Sequence, residues 1–125
     1  MATILVVDDE PMMLRLCTNI LMRGQHDVMQ AADGAAALEL VRTKPADLAL
    51  LDVIMPKMNG IELAKRILDN TPATKILLMT GFGPREVAQV AGKENPYRII
   101  WKPFKTESLL QMVDNVLGES ERASA

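Results

Sequence analysis

Short, almost wholly apolar runs alternate along this chain with longer stretches in which apolar residues recur every three or four positions. The first pattern predicts buried β-strands and the second amphipathic helices. Thr3 to Val7 reads as a strand. A helix follows with Pro11 in its first turn and Leu14, Cys17 and Leu21 on one stripe, stopped by Gly24. Asp27 to Ala31 is the second strand, and Asp33 can cap a helix carrying Leu38 and Val41. Leu48 to Leu51 is the third strand; after a loop through Pro56 and Gly60, Ile61, Ala64 and Leu68 mark the third helix. Ile76 to Met79 and Tyr97 to Trp101 are the last strands. Leu109, Val113 and Val116 define a final helix ending at Gly118.

This alternation predicts an α/β fold: a doubly wound, five-stranded parallel sheet with about five helices. The first, third and fourth strands are continuously apolar, as strands covered on both faces must be. The second and fifth carry Asp27, Gln30 and Arg98, which suits sheet edges. The order 2-1-3-4-5 follows, with a switch point between strands 1 and 3. Residues 1–118 are expected to form one domain and 119–125 a polar tail with no output domain.

Composition narrows the function. The net charge of −2 and a total of four aromatic residues offer neither a basic stripe nor a stacking platform, so direct nucleic-acid binding is not expected. The single cysteine, Cys17, excludes an internal disulfide and fits a reducing, cytoplasmic setting. No apolar run approaches the roughly 18 residues of a membrane span, and no signal-type segment opens the chain.

Candidate chemistry sits at the strand ends. Asp8, Asp9, Asp52, Thr80 and Lys102 each lie just past an apolar run, and ligands of open parallel sheets gather outside the strand carboxyl ends. Two carboxylates about 4 Å apart repel by roughly 4 kcal/mol at an effective dielectric near 20. Three of them therefore call for a cation. Magnesium, which prefers hard oxygen ligands and keeps several waters, suits such a site beside a phosphoryl group. Taken alone, Asp8 and Asp9 could merely cap the first helix, Asp52 could be a solvated loop residue, and Thr80 and Lys102 ordinary strand-end residues. His26, in a polar turn, and the nine methionines carry no separate signal.

Taken together, the motifs Val7-Asp8-Asp9-Glu10-Pro11, Leu51-Asp52-Val53-Ile54-Met55-Pro56 with Gly60 beyond, Met79-Thr80-Gly81 and Lys102-Pro103-Phe104 are highly specific. In this order the chain resembles a receiver domain, CheY-like, of the bacterial two-component response regulators, over about residues 3–117. The resemblance implies that Asp52 accepts a phosphoryl group from a histidine of a sensor kinase or phosphotransfer protein. It implies that Asp8, Asp9, Asp52 and the backbone carbonyl of Ile54 hold Mg2+, that Thr80 and Lys102 bond phosphoryl oxygens, and that Lys102-Pro103 is cis. The expected output is contact with a downstream protein target. The domain is not expected to be an enzyme beyond its own acyl-phosphate transfer and autodephosphorylation.

The sequence departs from that pattern in two places. Ile99 stands where most receivers carry the aromatic residue coupled to the threonine, while Tyr97 and Trp101 lie two residues to either side. Together with the Thr80-Gly81-Phe82 pattern, this aliphatic position resembles a subgroup of receivers that includes many attached to or working beside hybrid sensor kinases. Residues 81–96, with Gly81, Gly83 and Pro84 at their start and a Gly-Lys-Glu-Asn-Pro run at their end, predict a marginal helix of about seven residues. Order in that segment is expected to carry the signal. Three other readings fit less well. A pseudo-receiver, binding independently of phosphorylation, would have lost an acidic or lysine residue. A dehalogenase-type phosphatase would need an aspartate where Ile54 stands. A flavodoxin-like cofactor binder would need a glycine- or hydroxyl-rich phosphate loop after the first strand.

Overall fold

A computed structural model of the chain describes residues 2–91 and 96–124. Its elements run β1 (Thr3–Val7), α1 (Pro11–Arg23), β2 (Asp27–Ala31), α2 (Gly34–Thr43), β3 (Leu48–Asp52), α3 (Gly60–Asn70), β4 (Lys75–Thr80), α4 (Pro84–Ala91), β5 (Arg98–Trp101) and α5 (Thr106–Ser124). The sheet is parallel throughout, in the expected order β2-β1-β3-β4-β5.

Period-2 alternation along the central strands divides the core into two layers. Ile4, Val6, Leu48, Leu50, Leu77, Met79 and Ile100 face Cys17, Ile20 and Leu21 of α1 and Leu109, Val113 and Val116 of α5. Leu5, Val7, Ala49, Leu51, Ile76 and Leu78 face Ala37 and Val41 of α2, Ile61, Ala64 and Ile67 of α3, and Val87 of α4. Every residue of β3 is buried, whereas the edge strands β2 and β5 alternate with exposed positions. The apolar runs were therefore long because both faces are covered, and the polar interruptions marked the edges.

Local signals set most boundaries. Asp33 caps α2 by accepting the Ala36 N–H at 2.7 Å, and Asn59 caps α3 by accepting that of Glu62 at 2.8 Å. Asp52 closes β3 from within the ladder, as the register partner of Met79, and Tyr97 precedes the first paired residue of β5. Gly24 does end α1, but with φ −78°; the left-handed residue is Gln25, at φ 67°. A Cβ there would meet the tip of Leu110 of α5 at 2.8 Å, so a larger residue would have to displace that side chain. At the other end the sequence expectation fails: α5 runs through Gly118 to Ser124. Gly118 has no left-handed φ, and no contact would oppose a Cβ there, so nothing stops the helix. Helix α4 forms with Val87 as its buried anchor; the rest of the segment expected to be loose includes 92–95, which lie outside the described residues.

Cys17 is core, as its helical position implied. It is fully buried, with Sγ 3.9 Å from Met79 Sδ. Burial first, then the negative charge of Asp8, push its thiol up to about 12. Since the thiolate is the nucleophile, native Cys17 should react with a soluble disulfide reagent roughly a thousandfold more slowly than in the unfolded chain. Stopped-flow labelling with and without denaturant measures this; comparable rates would mean that the thiol is reachable in the native fold.

Candidate functional site

The carboxyl ends of β1, β3, β4 and β5 bring the predicted residues together. Asp8 follows β1 and is fully buried. Its Oδ1 accepts the Glu10 N–H at 2.9 Å, turning the chain toward α1, and its Oδ2 accepts from Lys102 Nζ at 2.9 Å. Asp52, the last residue of β3, is 5% exposed, and its Oδ2 lies 3.8 Å from the same ammonium. Oxygens of Asp8, Asp9 and Asp52 all fall within 4.8 Å of one another, with Asp9 on the exposed side. Three carboxylates thus cluster where one ammonium pairs with only two of them, Asp8 and Asp52.

The electrostatics follow from that imbalance. Burial, then the charge of Asp8, raise the Asp52 pKa to about 7, with Lys102 and the donated Ile54 N–H pulling the other way. Burial opposes the charge on Lys102, but the hydrogen bond to Asp8 and the charges of Asp52 and Asp8 outweigh it and raise its pKa. The pocket is short of positive charge, and an oxygen-liganded divalent cation fits it.

Thr80 closes the opposite flank. Alternation along β4 places it with Ile76 and Leu78, on the other face from Asp52, which follows Leu48 and Leu50. Its Oγ1 accepts the Phe82 N–H at 3.1 Å, and its carbonyl accepts the Lys102 N–H at 2.7 Å. Although Thr80 is fully buried, its hydroxyl proton meets no acceptor among the described residues. A buried donor in that condition costs free energy until an acceptor arrives. The Lys102-Pro103 peptide is cis, as the resemblance implied.

Two further residues shape the site, and only one left a mark in the sequence. Gly60, at the start of α3, donates its N–H to Val53 O at 3.0 Å, and a Cβ on it would drive into the carbonyl of Asp52. The motif marked Gly60, but not that the glycine seats the backbone of Asp52. Lys57 has φ 70°, and Met58 N–H bonds Pro56 O at 2.7 Å across it, forming a tight γ-turn. No residue type in that stretch announced it.

A family model, the response regulator receiver domain, matches residues 4–114. The chain belongs to this family. The receiver protein CpdR of Brucella abortus is 31% identical over 117 residues, spanning 94% of this chain and 98% of that protein. The alkaline phosphatase synthesis transcriptional regulatory protein PhoP of Bacillus subtilis is 36% identical over 122 residues, 97% of this chain but only 50% of its own length. Among solved structures, the Vibrio cholerae chemotaxis protein CheY4 superposes with a TM-score of 0.83 at 30% identity, over 93% of this receiver and 98% of CheY4. Receiver domains are signalling modules of two-component systems rather than classical enzymes. No helix among the described residues of this one is long and apolar enough to cross a membrane.

Proposed function

We propose that this receiver, taken as residues 1–118, accepts a phosphoryl group on Asp52 from a histidine of a sensor kinase or phosphotransfer protein and passes the signal on by protein contact. The observation that supports this most directly is the cluster of Asp8, Asp9 and Asp52 oxygens within 4.8 Å, with Asp52 nearly buried. Asp8, Asp9, Asp52 and the Ile54 carbonyl would hold Mg2+, which when bound neutralises carboxylate and phosphoryl charge. An Asp52 carboxylate oxygen attacks phosphorus as the phosphorus–nitrogen bond to the donor histidine breaks, and the electron pair returns to the imidazole. The product is an acyl phosphate, in line with covalent catalysis by carboxylates. Lys102 pairs with one equatorial oxygen and the Thr80 hydroxyl donates to another, so the protein mainly positions groups and spreads charge. The acyl phosphate then hydrolyses within the domain and erases the signal. With a net charge of −2 the domain's own readout is a protein partner.

Incubation with magnesium and acetyl phosphate, followed by intact mass measurement, tests this: the wild type should gain one phosphoryl group only when the metal is present. Asp9→Asn removes one exposed carboxylate while leaving Asp8 and its bond to Lys102 in place. It should weaken magnesium binding by roughly ten- to a hundredfold. Calorimetric titration giving wild-type affinity would remove Asp9 from the ligand set.

A further inference from the structure

At the end of the sheet opposite the carboxylate cluster, hydrogen bonds lace the strand starts together. Ala2 O accepts the Asp27 N–H at 2.9 Å, the Thr3 N–H goes to Asp47 Oδ2 at 2.8 Å, and Thr3 O accepts the Asp47 N–H at 2.8 Å. The Ala2 N–H is bonded to the Nδ1 atom of His26 at 3.1 Å. A histidine ring, rather than another strand, thus ties down the start of β1.

The turn after α1 aims that ring. Gln25, at φ 67°, swings the chain back, and the His26 N–H bonds Leu21 O at 3.2 Å. A Cβ on Gly24 would stand 3.2 Å from the ring carbon Cδ2, so the glycine leaves the ring its place. His26 also borders a cavity of about 430 Å³ whose charged lining is Asp47, Lys75 at the start of β4 and Asp114 of α5. Asp27, the next residue in the chain, is exposed.

An imidazole nitrogen accepts a hydrogen bond only while it carries no proton. The Ala2 bond therefore requires the neutral ring with its proton on Nε2. A proton on Nδ1 would set two donors face to face, so the bond and the charged ring exclude each other. Histidine is the side chain whose charge ordinarily changes between pH 5 and 8. A charged ring has somewhere to turn, since the cavity offers the carboxylates of Asp47 and Asp114 against the single ammonium of Lys75.

We propose that His26 is a proton-operated latch on the start of β1: the neutral ring holds Ala2, and the protonated ring releases it and turns to the carboxylates of the cavity. The inference is independent of the phosphoacceptor reading.

Nitrogen-15 spectra of the ring and amide hydrogen exchange, both read on the full chain from pH 8 to pH 5, test it. At pH 8 the ring should carry its proton on Nε2. Exchange is expressed as protection relative to the unfolded chain at the same pH. As the ring gains its second proton, protection of the Asp27 N–H, whose acceptor is Ala2 O, should fall about fivefold, as the loss of one ordinary hydrogen bond implies. Protection of Leu50, in the core of β3, should not fall. His26→Gln, whose amide oxygen can accept the Ala2 N–H but does not titrate, should show no fall at Asp27. A ring protonated on Nδ1 at pH 8, or Asp27 protection that stays flat while the ring titrates, overturns the proposal, and neither observation needs a variant that folds. An equal fall at Leu50 would mean that the whole domain loosens rather than one latch. An equal fall in His26→Gln would assign the opening to Asp47 or Asp114, and either result overturns the role of His26.

Discussion

Asp52→Asn should take up no phosphoryl group and, without divalent cations, should be more stable than the wild type near neutral pH. The first effect follows because the amide cannot form the acyl phosphate. The second follows from the cost of the native charge. The Asp52 carboxyl sits at about 7 in the fold against an ordinary 3.8, mainly through burial and then through Asp8. Below the ordinary value both folded and unfolded chains are protonated there and nothing is lost. As pH rises from about 4 to about 7 the unfolded chain ionises while the fold holds the proton, so stability falls across that window and levels off above it. The asparagine variant lacks this slope, since Lys102 keeps its bond to Asp8. Allowing for solvent at the pocket mouth, the gain at neutral pH is on the order of 1–2 kcal/mol, or several degrees in Tm. Thermal melts of both proteins at pH 4.5 and 7.5, in chelator and in magnesium, measure it. Equal pH slopes in chelator would mean that Asp52 is not the strained charge. Magnesium should close the gap by restoring the wild type.

Gly60→Ala should damage the fold and the site together. The atoms that a Cβ would strike are Asp52 and Val53 backbone, which lie in and just after a fully buried central strand and cannot give way as a side-chain tip would. The overpacking cost is about 2–3 kcal/mol, and the displacement falls on the residue that carries the chemistry. Denaturant midpoints should drop accordingly, and phosphoryl uptake should slow in the fraction that remains folded. Gly118→Ala is the contrasting case. That glycine lies inside α5 with open space around it, so the same substitution should stabilise by about 0.5–1 kcal/mol through helix propensity. If both variants lose stability alike, the close approach at Gly60 is not what makes alanine costly there.

Much of the architecture was legible because burial on two faces leaves a continuous apolar run, whereas an edge does not. Asp27, Gln30 and Arg98 were enough to order the sheet. Asp8, Asp52, Thr80 and Lys102 were legible because polar residues ending such runs have one shared place to go. What the sequence concealed lies in distances between segments. Gly24 looked like a left-handed helix stop and proved to be a clearance for Leu110. Gly118 looked like a stop and is ordinary helix, since a glycine ends a helix only where the chain adopts the left-handed turn. The positive φ of Lys57 and the Thr80 proton, which meets no acceptor among the described residues, depend on surroundings that no local pattern names.

The bond between Lys102 Nζ and Asp8 Oδ2 spans 94 positions of sequence. During synthesis, Asp8, Asp9 and Asp52 leave the ribosome well before Lys102 does. Until the fifth strand has emerged and docked, the acceptor has neither its ammonium nor its completed sheet. On the phosphoacceptor reading, a nascent chain that lacks the fifth strand should therefore take up no phosphoryl group.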